Sequence, residues 1–393
     1  MVSKKNNDIG KGCAFFSPWP GLLAVTVLLI LIGCPSAPAQ SNPGPAGPSA
    51  APPPQRVAGI AVEMLRKAGL QARWVGSVPL ERDGVVSRIF YRGGRLFVLT
   101  DTNTLFALDA KSGLIQWSAV VGSPHIICSP ENFFEENLLY IVGNTFVQIR
   151  LADGKITQQM NVHFPVSTSA ARTKDRIFLG SYDKKFYCLR ASDGITLWQT
   201  LCPAEPTGTV TVSGDKVYFV CKDDTLYISK TDERSLVWKV PTAGDVPGVT
   251  VGEDLCYLPS ADTALYCIAP ESQKLVWKHL TGGSLVEPPV LTAGAIYQPL
   301  KHAALLCLNR NDGSRRWQLA DGHNLLAENG TLSYVFTLNR ELAIMNNQTG
   351  KRELSFYLPS LQLFASNTED SSIFLAGREG TILVLMPAQI ETK

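Results

Sequence analysis

The chain has 393 residues, 45% of them hydrophobic and 18% charged, which is enough apolar surface for a large core and too little charge for a disordered chain. The formal net charge is +2, and setting aside residues 1–33, with Lys4, Lys5, Lys11 and Asp8, leaves 33 basic against 33 acidic residues and a net of zero. A neutral body argues against nucleic acid or anionic lipid as the main partner, and five scattered His without paired spacing argue against a His-based metal site.

Lys4, Lys5 and Lys11 precede an apolar run over 21–32, interrupted only by Thr26 and ending Leu31-Ile32-Gly33-Cys34. A basic start, a short apolar core and small residues at the end predict an export signal over 1–33. The run is too short for a bilayer core, which needs about 20 residues. Leu-Ile-Gly-Cys resembles the lipobox of bacterial lipoproteins. That resemblance implies lipidation of Cys34, cleavage before it and anchoring of the mature chain to a membrane by its lipid. Ser36, where an Asp would signal retention in the inner membrane, implies by the same resemblance the outer membrane, facing the periplasm. Two alternatives stay open: cleavage after Ala37-Pro38-Ala39, giving a soluble exported protein, and retention of 14–33 as an anchor, interrupted by Pro18 and Pro20.

Residues 34–56 follow as a Pro/Ala-rich tether; eight Pro and no charge between 35 and 55 predict an extended, unpacked segment. Val57, Ile60, Ala61, Met64, Leu65 and Ala68 recur at helical spacing, with Lys67 in the last turn and Gly69 at the stop, so a short helix is expected over 57–69.

Beyond it a unit of about forty residues repeats. RLFVLTDTNTLFALDAKSGLIQWSA (95–119) recurs as RIFLGSYDKKFYCLRASDGITLWQT (176–200), KVYFVCKDDTLYISKTDERSLVWKV (216–240), DLCYLPSADTALYCIAPESQKLVWKH (254–279) and AIYQPLKHAALLCLNRNDGSRRWQL (295–319), with weaker copies at 137–161 and 331–355. Trp117, Trp198, Trp238, Trp277 and Trp317 anchor the units at gaps of 81, 40, 39 and 40; one unit without Trp lies in the first gap, where Met160 is expected in the Trp place, and Leu354 in the last full unit. Each unit reads as an apolar strand, a polar turn, a second apolar strand, a Gly turn such as Ser112-Gly113 or Asp193-Gly194, and a third strand ending in Trp. Stretches such as 209–212, 248–251 and 288–291 supply a fourth. Four antiparallel strands per forty residues predict a propeller blade.

The last unit, near 362–386, lacks its Trp strand, and a matching strand over about 72–77 carries Trp74, 43 residues before Trp117. Pairing the two closes a ring of eight four-stranded blades over 70–388, an all-β eight-bladed propeller with no free sheet edge.

The run Phe106-Ala107-Leu108-Asp109-Ala110-Lys111-Ser112-Gly113-Leu114-Ile115-Gln116-Trp117 resembles the quinoprotein, or PQQ-type, propeller repeat, and the resemblance covers about 72–386. With the lipobox and tether, the chain resembles the BamB-like lipoproteins of the outer-membrane barrel-assembly machinery. The resemblance implies a non-catalytic, monomeric scaffold without cofactor, held at the membrane and binding envelope proteins, with no role for nucleic acid. The dehydrogenase branch of the same repeat, which uses PQQ and calcium, is less favoured. No Cys-Cys pair and no Cys-x-x-Cys-His site exists, and the even spacing leaves no room for pocket-building insertions. A propeller sensing a small ligand or glycan at the channel mouth stays open as an alternative.

Segments that depart from the repeat are the candidate partner contacts: the stretch 123–136 with Phe133 and Phe134, and 301–304 with Lys301 and His302. Cys188, Cys267 and Cys307 occupy the place of Ala107 and are expected as small buried side chains. A disulfide between Cys128 and Cys202 is conceivable in an oxidising compartment.

Overall fold

A computed structural model describes residues 55–388. The export signal, Cys34 and all but the last two residues of the tether lie outside the described residues.

The described chain is a ring of eight four-stranded antiparallel sheets. Blade 1 occupies 86–120, blade 2 132–161, blade 3 171–201, blade 4 206–241, blade 5 250–280, blade 6 290–319 and blade 7 322–357, each a simple up-and-down order from inner to outer strand. Blade 8 takes three strands from the C-terminal end (Leu363–Ala365, Ile373–Ala376, Thr381–Pro387) and its outer strand, Leu70–Ser77, from the N-terminal end. The closing pairs run from Leu70 opposite Pro387 to Ser77 opposite Thr381. The two middle strands of a blade are solidly apolar, as in Arg95–Thr100 and Thr104–Asp109, because a neighbouring blade covers each face; the outer strand Ile115–Val120 alternates with solvent.

The two-residue period of a strand decides which seam each side chain fills. Leu96 and Val98 point into the seam between blades 8 and 1, Phe97 and Leu99 into that between blades 1 and 2. The core is accordingly eight apolar clusters, one per seam. At the closing seam Tyr91 stacks on Phe374 at 4.5 Å and the Gly93 amide donates to the Glu369 carboxylate at 3.1 Å.

The segment before the ring departs from the expectation of one helix over 57–69. Residues 56–61 form a two-residue hairpin, Arg56 opposite Ala61 and Val57 opposite Ile60, turning through Ala58 and Gly59 at φ of 46° and 81°. The helix is only Val62–Lys67. Gly59 accepts the left-handed backbone that this turn needs, so the chain reverses before the helix begins. Gln55, counted with the tether in the sequence, already accepts a hydrogen bond from the Val62 amide. Ile60, Leu65 and Leu70 cap the seam between blades 7 and 8.

Candidate functional site

In each blade the first-to-second turn, and in blades 1 to 7 the third-to-fourth turn, lie on one face of the ring, called here the Gly-turn face. The second-to-third turns and the interblade loops lie on the opposite, loop face. This follows from the up-and-down order and divides the candidate residues. Phe133 and Phe134 sit in the inner strand Asn132–Phe134 of blade 2, next to its Gly-turn face. Neither is a free loop residue: Phe133 meets Phe90 edge-on at 6.0 Å under the Arg92 guanidinium, and Phe134 lies beneath Arg172, 4.9 Å from the ring. Lys301 and His302 are exposed in the second-to-third turn of blade 6, on the loop face. The two pairs are therefore not brought together.

Four of the Trp anchors, Trp74, Trp117, Trp277 and Trp317, reach to the Gly turn of the next blade. A Cβ on Gly113 would come within 2.7 Å of the Trp74 ring, and one on Gly313 within 2.5 Å of the Trp277 ring. Trp74 and Trp117 donate their indole N–H groups to the Ala110 and Leu151 carbonyls at 2.9 and 3.0 Å, and Trp317 donates to Asn347 Oδ1 at 3.0 Å. Opposite four of the six Trp stands a small residue: Ala107, Cys188, Cys267 and Cys307 pair with Trp117, Trp198, Trp277 and Trp317, whereas Trp238 and Trp74 face Ile228 and Val384.

Blade 2 corrects the sequence alignment. The residue paired in the Trp register is Gln158, not Met160. Gln158 donates through its amide to the Ala191 carbonyl, as Trp74 does to the Ala110 carbonyl, while Met160, two residues on and on the same face, fills the space over Gly194. Two polar and apolar side chains thus divide the task of one indole.

The seam between blades 3 and 4 departs further. Six of the seven third-to-fourth turns carry a left-handed residue four positions before the anchor: Gly113, Gly154, Gly194, Gln273, Gly313 and Gly350. The seventh carries Arg234, which is not left-handed, and the buried N–H of Trp198 finds no acceptor. A cavity of about 400 Å³ opens there, lined by Trp198, Cys202, Phe219, Tyr227, Arg234 and Lys239.

The loop face carries the most exposed apolar side chain of the ring, Ile127, 87% accessible, with Ile126 and Tyr182 also exposed. Ile127 stands at the rim of a cleft of about 440 Å³ between blades 1 and 2, lined also by Arg88, Asp101, Asn103 and His125. Its loop is held from beneath. Asn103, at φ 60°, donates to the Ser123 and Ile126 carbonyls at 2.6 and 2.8 Å, and Arg88 donates to the Ser129 carbonyl at 2.9 Å. Cys128 donates its thiol to Asn103 Oδ1 at 3.2 Å. Burial pushes that thiol up to about 11, so it is neutral at physiological pH. The conceivable Cys128–Cys202 disulfide is not formed: both are free thiols, and they belong to different seams.

The loop face also carries a recurring brace, independent of the Gly turns. In blades 3, 4 and 5 an Asp in the second-to-third turn accepts the phenol of a Tyr four residues on: Tyr187 to Asp183 and Tyr227 to Asp223 at 2.6 Å, Tyr266 to Asp262 at 2.5 Å. The signal was Asp-x-x-x-Tyr recurring with the blade. On the Gly-turn face, a cleft of about 720 Å³ between blades 2 and 3 collects Arg172, Lys174, Arg176 and Arg190 around a single acid, Asp175.

The enzyme branch of the repeat would require calcium held by six to eight clustered oxygens. Among the described residues no group of three His, Cys, Asp or Glu is placed to hold a metal ion. Asp109 and Asp312 instead accept from the backbone of their own Gly turns, at Ser112 and Ser314.

A closed ring of eight PQQ-type blades, six of them carrying a Trp at the anchor position, is the class that this fold defines. The family model described as outer membrane protein assembly factor BamB matches residues 71–174, 151–249 and 227–371, and the chain belongs to that family. Among solved structures, BamB from Moraxella catarrhalis is similar at 13% identity and a TM-score of 0.62, over 82% of this chain and 98% of that one. The computationally designed Ika8 protein is similar at 11% identity and a TM-score of 0.63, over 79% of this chain and 99% of the designed one. No curated protein matches the chain.

Proposed function

We propose that the protein is a non-catalytic scaffold of the bacterial cell envelope, anchored through a lipid on Cys34 at the outer membrane, that docks protein partners of outer-membrane assembly on its loop face. The observation that carries the docking face is Ile127: a large apolar side chain, 87% accessible, on a loop that Asn103 and Arg88 hold rigid. A preorganised apolar knob contributes affinity without an ordering cost at binding. Lipid anchoring confines the ring to the surface where its partners work and raises their effective concentration. Family membership supports the assembly role.

A photo-crosslinking residue at position 127, compared with one at the exposed Leu114 on the Gly-turn face, tests the reading in native membranes. A discrete adduct with an envelope protein is expected from 127 and not from 114. No adduct at 127, or the same adducts from both, would reject it.

The basic cleft around Arg172 and Arg190 favours a second reading, an anionic small ligand held on the Gly-turn face. Thermal shift with polyanions discriminates, since a ligand at 100-fold its Kd stabilises by about 2.7 kcal/mol.

A further inference from the structure

Seven cysteines lie among the described residues, and all are free thiols. Their strand register separates most of them. Cys256 and Cys267 are on neighbouring strands of blade 5, yet pair with Ile268 and Tyr257 and point into different seams. Cys307 stands alone in its seam cluster; Cys188 shares a cluster with Cys202 and Cys221 but is opposite Trp198 in the middle of its strand. Cys202 and Cys221 differ. Cys202 follows the outer strand of blade 3, Cys221 ends the second strand of blade 4, and both belong to the cluster that fills the seam between those blades. Across that seam the Phe186 ring of blade 3 stacks on Phe219 of blade 4 at 3.7 Å, and the Cys202 thiol points to the Thr200 carbonyl at 3.9 Å.

We propose that Cys202 and Cys221 form a reversible disulfide that staples blade 3 to blade 4. The location matches a structural need. This is the seam whose Gly turn is replaced by Arg234, and its Trp198 N–H, like that of Trp277, has no acceptor. A covalent link there compensates for a defective wedge. It also closes a loop of chain between residues 202 and 221, which removes conformations from the unfolded ensemble.

The same seam supplies reactivity. Cys202 lines the 400 Å³ cavity, with Arg234 and Lys239 on its wall. The hydrogen bond from Cys221 is the largest influence on Cys202 and lowers it below the ordinary thiol value, against the upward push of burial; Lys239 adds a smaller pull. Cys221, as the donor and itself buried, moves upward. Cys202 borders that cavity and Cys221 does not, so Cys202 is the attacking thiol and Cys221 the resolving one.

The oxidant is a disulfide, small or carried by a protein. The Cys202 thiolate attacks one of its sulfurs, forming a mixed disulfide and expelling the first thiolate. Cys221 then gives up its proton and attacks the Cys202 sulfur, forming the Cys202–Cys221 bond and expelling the second thiolate. Two protein thiols lose two electrons and two protons, and the oxidant disulfide becomes two thiols. This inference is independent of the scaffold reading and of any partner.

Full-length protein incubated with oxidised glutathione, or with dithiothreitol, is denatured in an alkylating reagent, digested and weighed. The expected result is a peptide linked through Cys202 and Cys221, two fewer alkylated cysteines than in the reduced sample, and a Tm higher by on the order of 5 °C. The Tm difference should vanish in Cys202→Ser and in Cys221→Ser. Complete alkylation of both residues after oxidation, a glutathione adduct left on Cys202, or a link from Cys202 to any other cysteine would overturn the proposal. The mass readout on the unsubstituted chain decides the question even where a Ser variant fails to fold.

Discussion

Trp117 lies over Gly154 of the next blade so closely that a Cβ added to the glycine would stand 2.4 Å from the indole Cε3. Gly154 also has φ 70°, so Gly154→Ala faces two separate costs, a left-handed backbone and a clash with a rigid ring. Gly214 isolates the first: its φ is 59° and nothing lies within 4 Å of a new Cβ. Gly214→Ala should cost about 1 kcal/mol, and Gly154→Ala a further 1–3 kcal/mol or so from overpacking. Denaturant midpoints at unchanged slope measure both. Equal midpoints for the two variants would mean that the ring yields freely and that the wedge is not a structural constraint.

The indole N–H groups divide the anchors into two kinds. Trp117 donates to the Leu151 carbonyl at 3.0 Å, whereas the buried N–H of Trp198 has no acceptor. Trp→Phe removes similar volume at either place. At 117 it also removes a hydrogen bond and leaves a carbonyl unpaired, a loss of about 1–3 kcal/mol; at 198 it removes a buried group that was already unsatisfied. Trp117→Phe should therefore be the more destabilising of the two, by about 1–2 kcal/mol in chemical denaturation. The reverse order would show that Trp198 has a partner, such as a bound water in the adjoining cavity.

These two anchors also show what the sequence could and could not convey. A period of forty residues, the Trp places and the position of Trp74 are one-dimensional facts, and they suffice for eight blades and for ring closure. Which side chain does the work inside one slot is not one-dimensional. Met160 was the apolar residue nearest the expected Trp, but the bulge between Gln148 and Ile149 sets Gln158 in that register. The helical spacing over 57–69 was real, yet Ala58-Gly59 turned the chain first. For the cysteines, compartment chemistry suggested a bridge to Cys202, and only the seam geometry puts Cys221, not Cys128, in the same packed cluster. The candidate contacts at Phe133 and Lys301 looked equivalent as irregularities, although the alternation of turns sends them to opposite faces.

The Asp–Tyr braces make stability depend on pH at both ends. Burial pushes the Asp183 and Asp262 carboxyls up, but the phenol hydrogen bonds from Tyr187 and Tyr266, with the other donors around them, more than reverse it and leave both below the ordinary carboxylate value. A carboxyl lowered by folding contributes stability that is present above its unfolded value and is lost as pH falls through the folded one. Burial, then the bond to Asp183, holds the Tyr187 phenol up at about 12, so its contribution is present below pH 10 and fades as pH rises towards 12. In the Tyr187→Phe, Tyr266→Phe double variant the Tm should fall at pH 7, and the drop in Tm between pH 7 and pH 3 should shrink. An unchanged difference in Tm between those pH values would show that the braces do not hold the carboxylates in solution.

Ring closure gives the sharpest test of the fold, because one strand of 70–77 is the whole outer edge of blade 8. Trp74 pairs with Val384 and donates to Ala110 of blade 1, so this strand seals blade 8 and also wedges the seam where the ring closes. Leu70 belongs with Ile60 and Leu65 to the cluster that caps the seam between blades 7 and 8. A chain beginning at residue 78 loses all of these contacts and exposes the strand Thr381–Pro387, whose centre, Ile382 to Leu385, is fully buried in the closed ring. An unpaired apolar edge of that kind recruits other chains. The shortened chain should elute as heterogeneous oligomers by size exclusion with light scattering, while a chain beginning at residue 55 remains monomeric. Adding a synthetic peptide of residues 70–77 should return part of the shortened protein to monomer, and a peptide with Trp74→Ala should do so less well. A monodisperse monomer from the chain beginning at 78, melting at the same temperature as its longer control, would mean that seven blades and a three-stranded eighth close without help from the N-terminal strand.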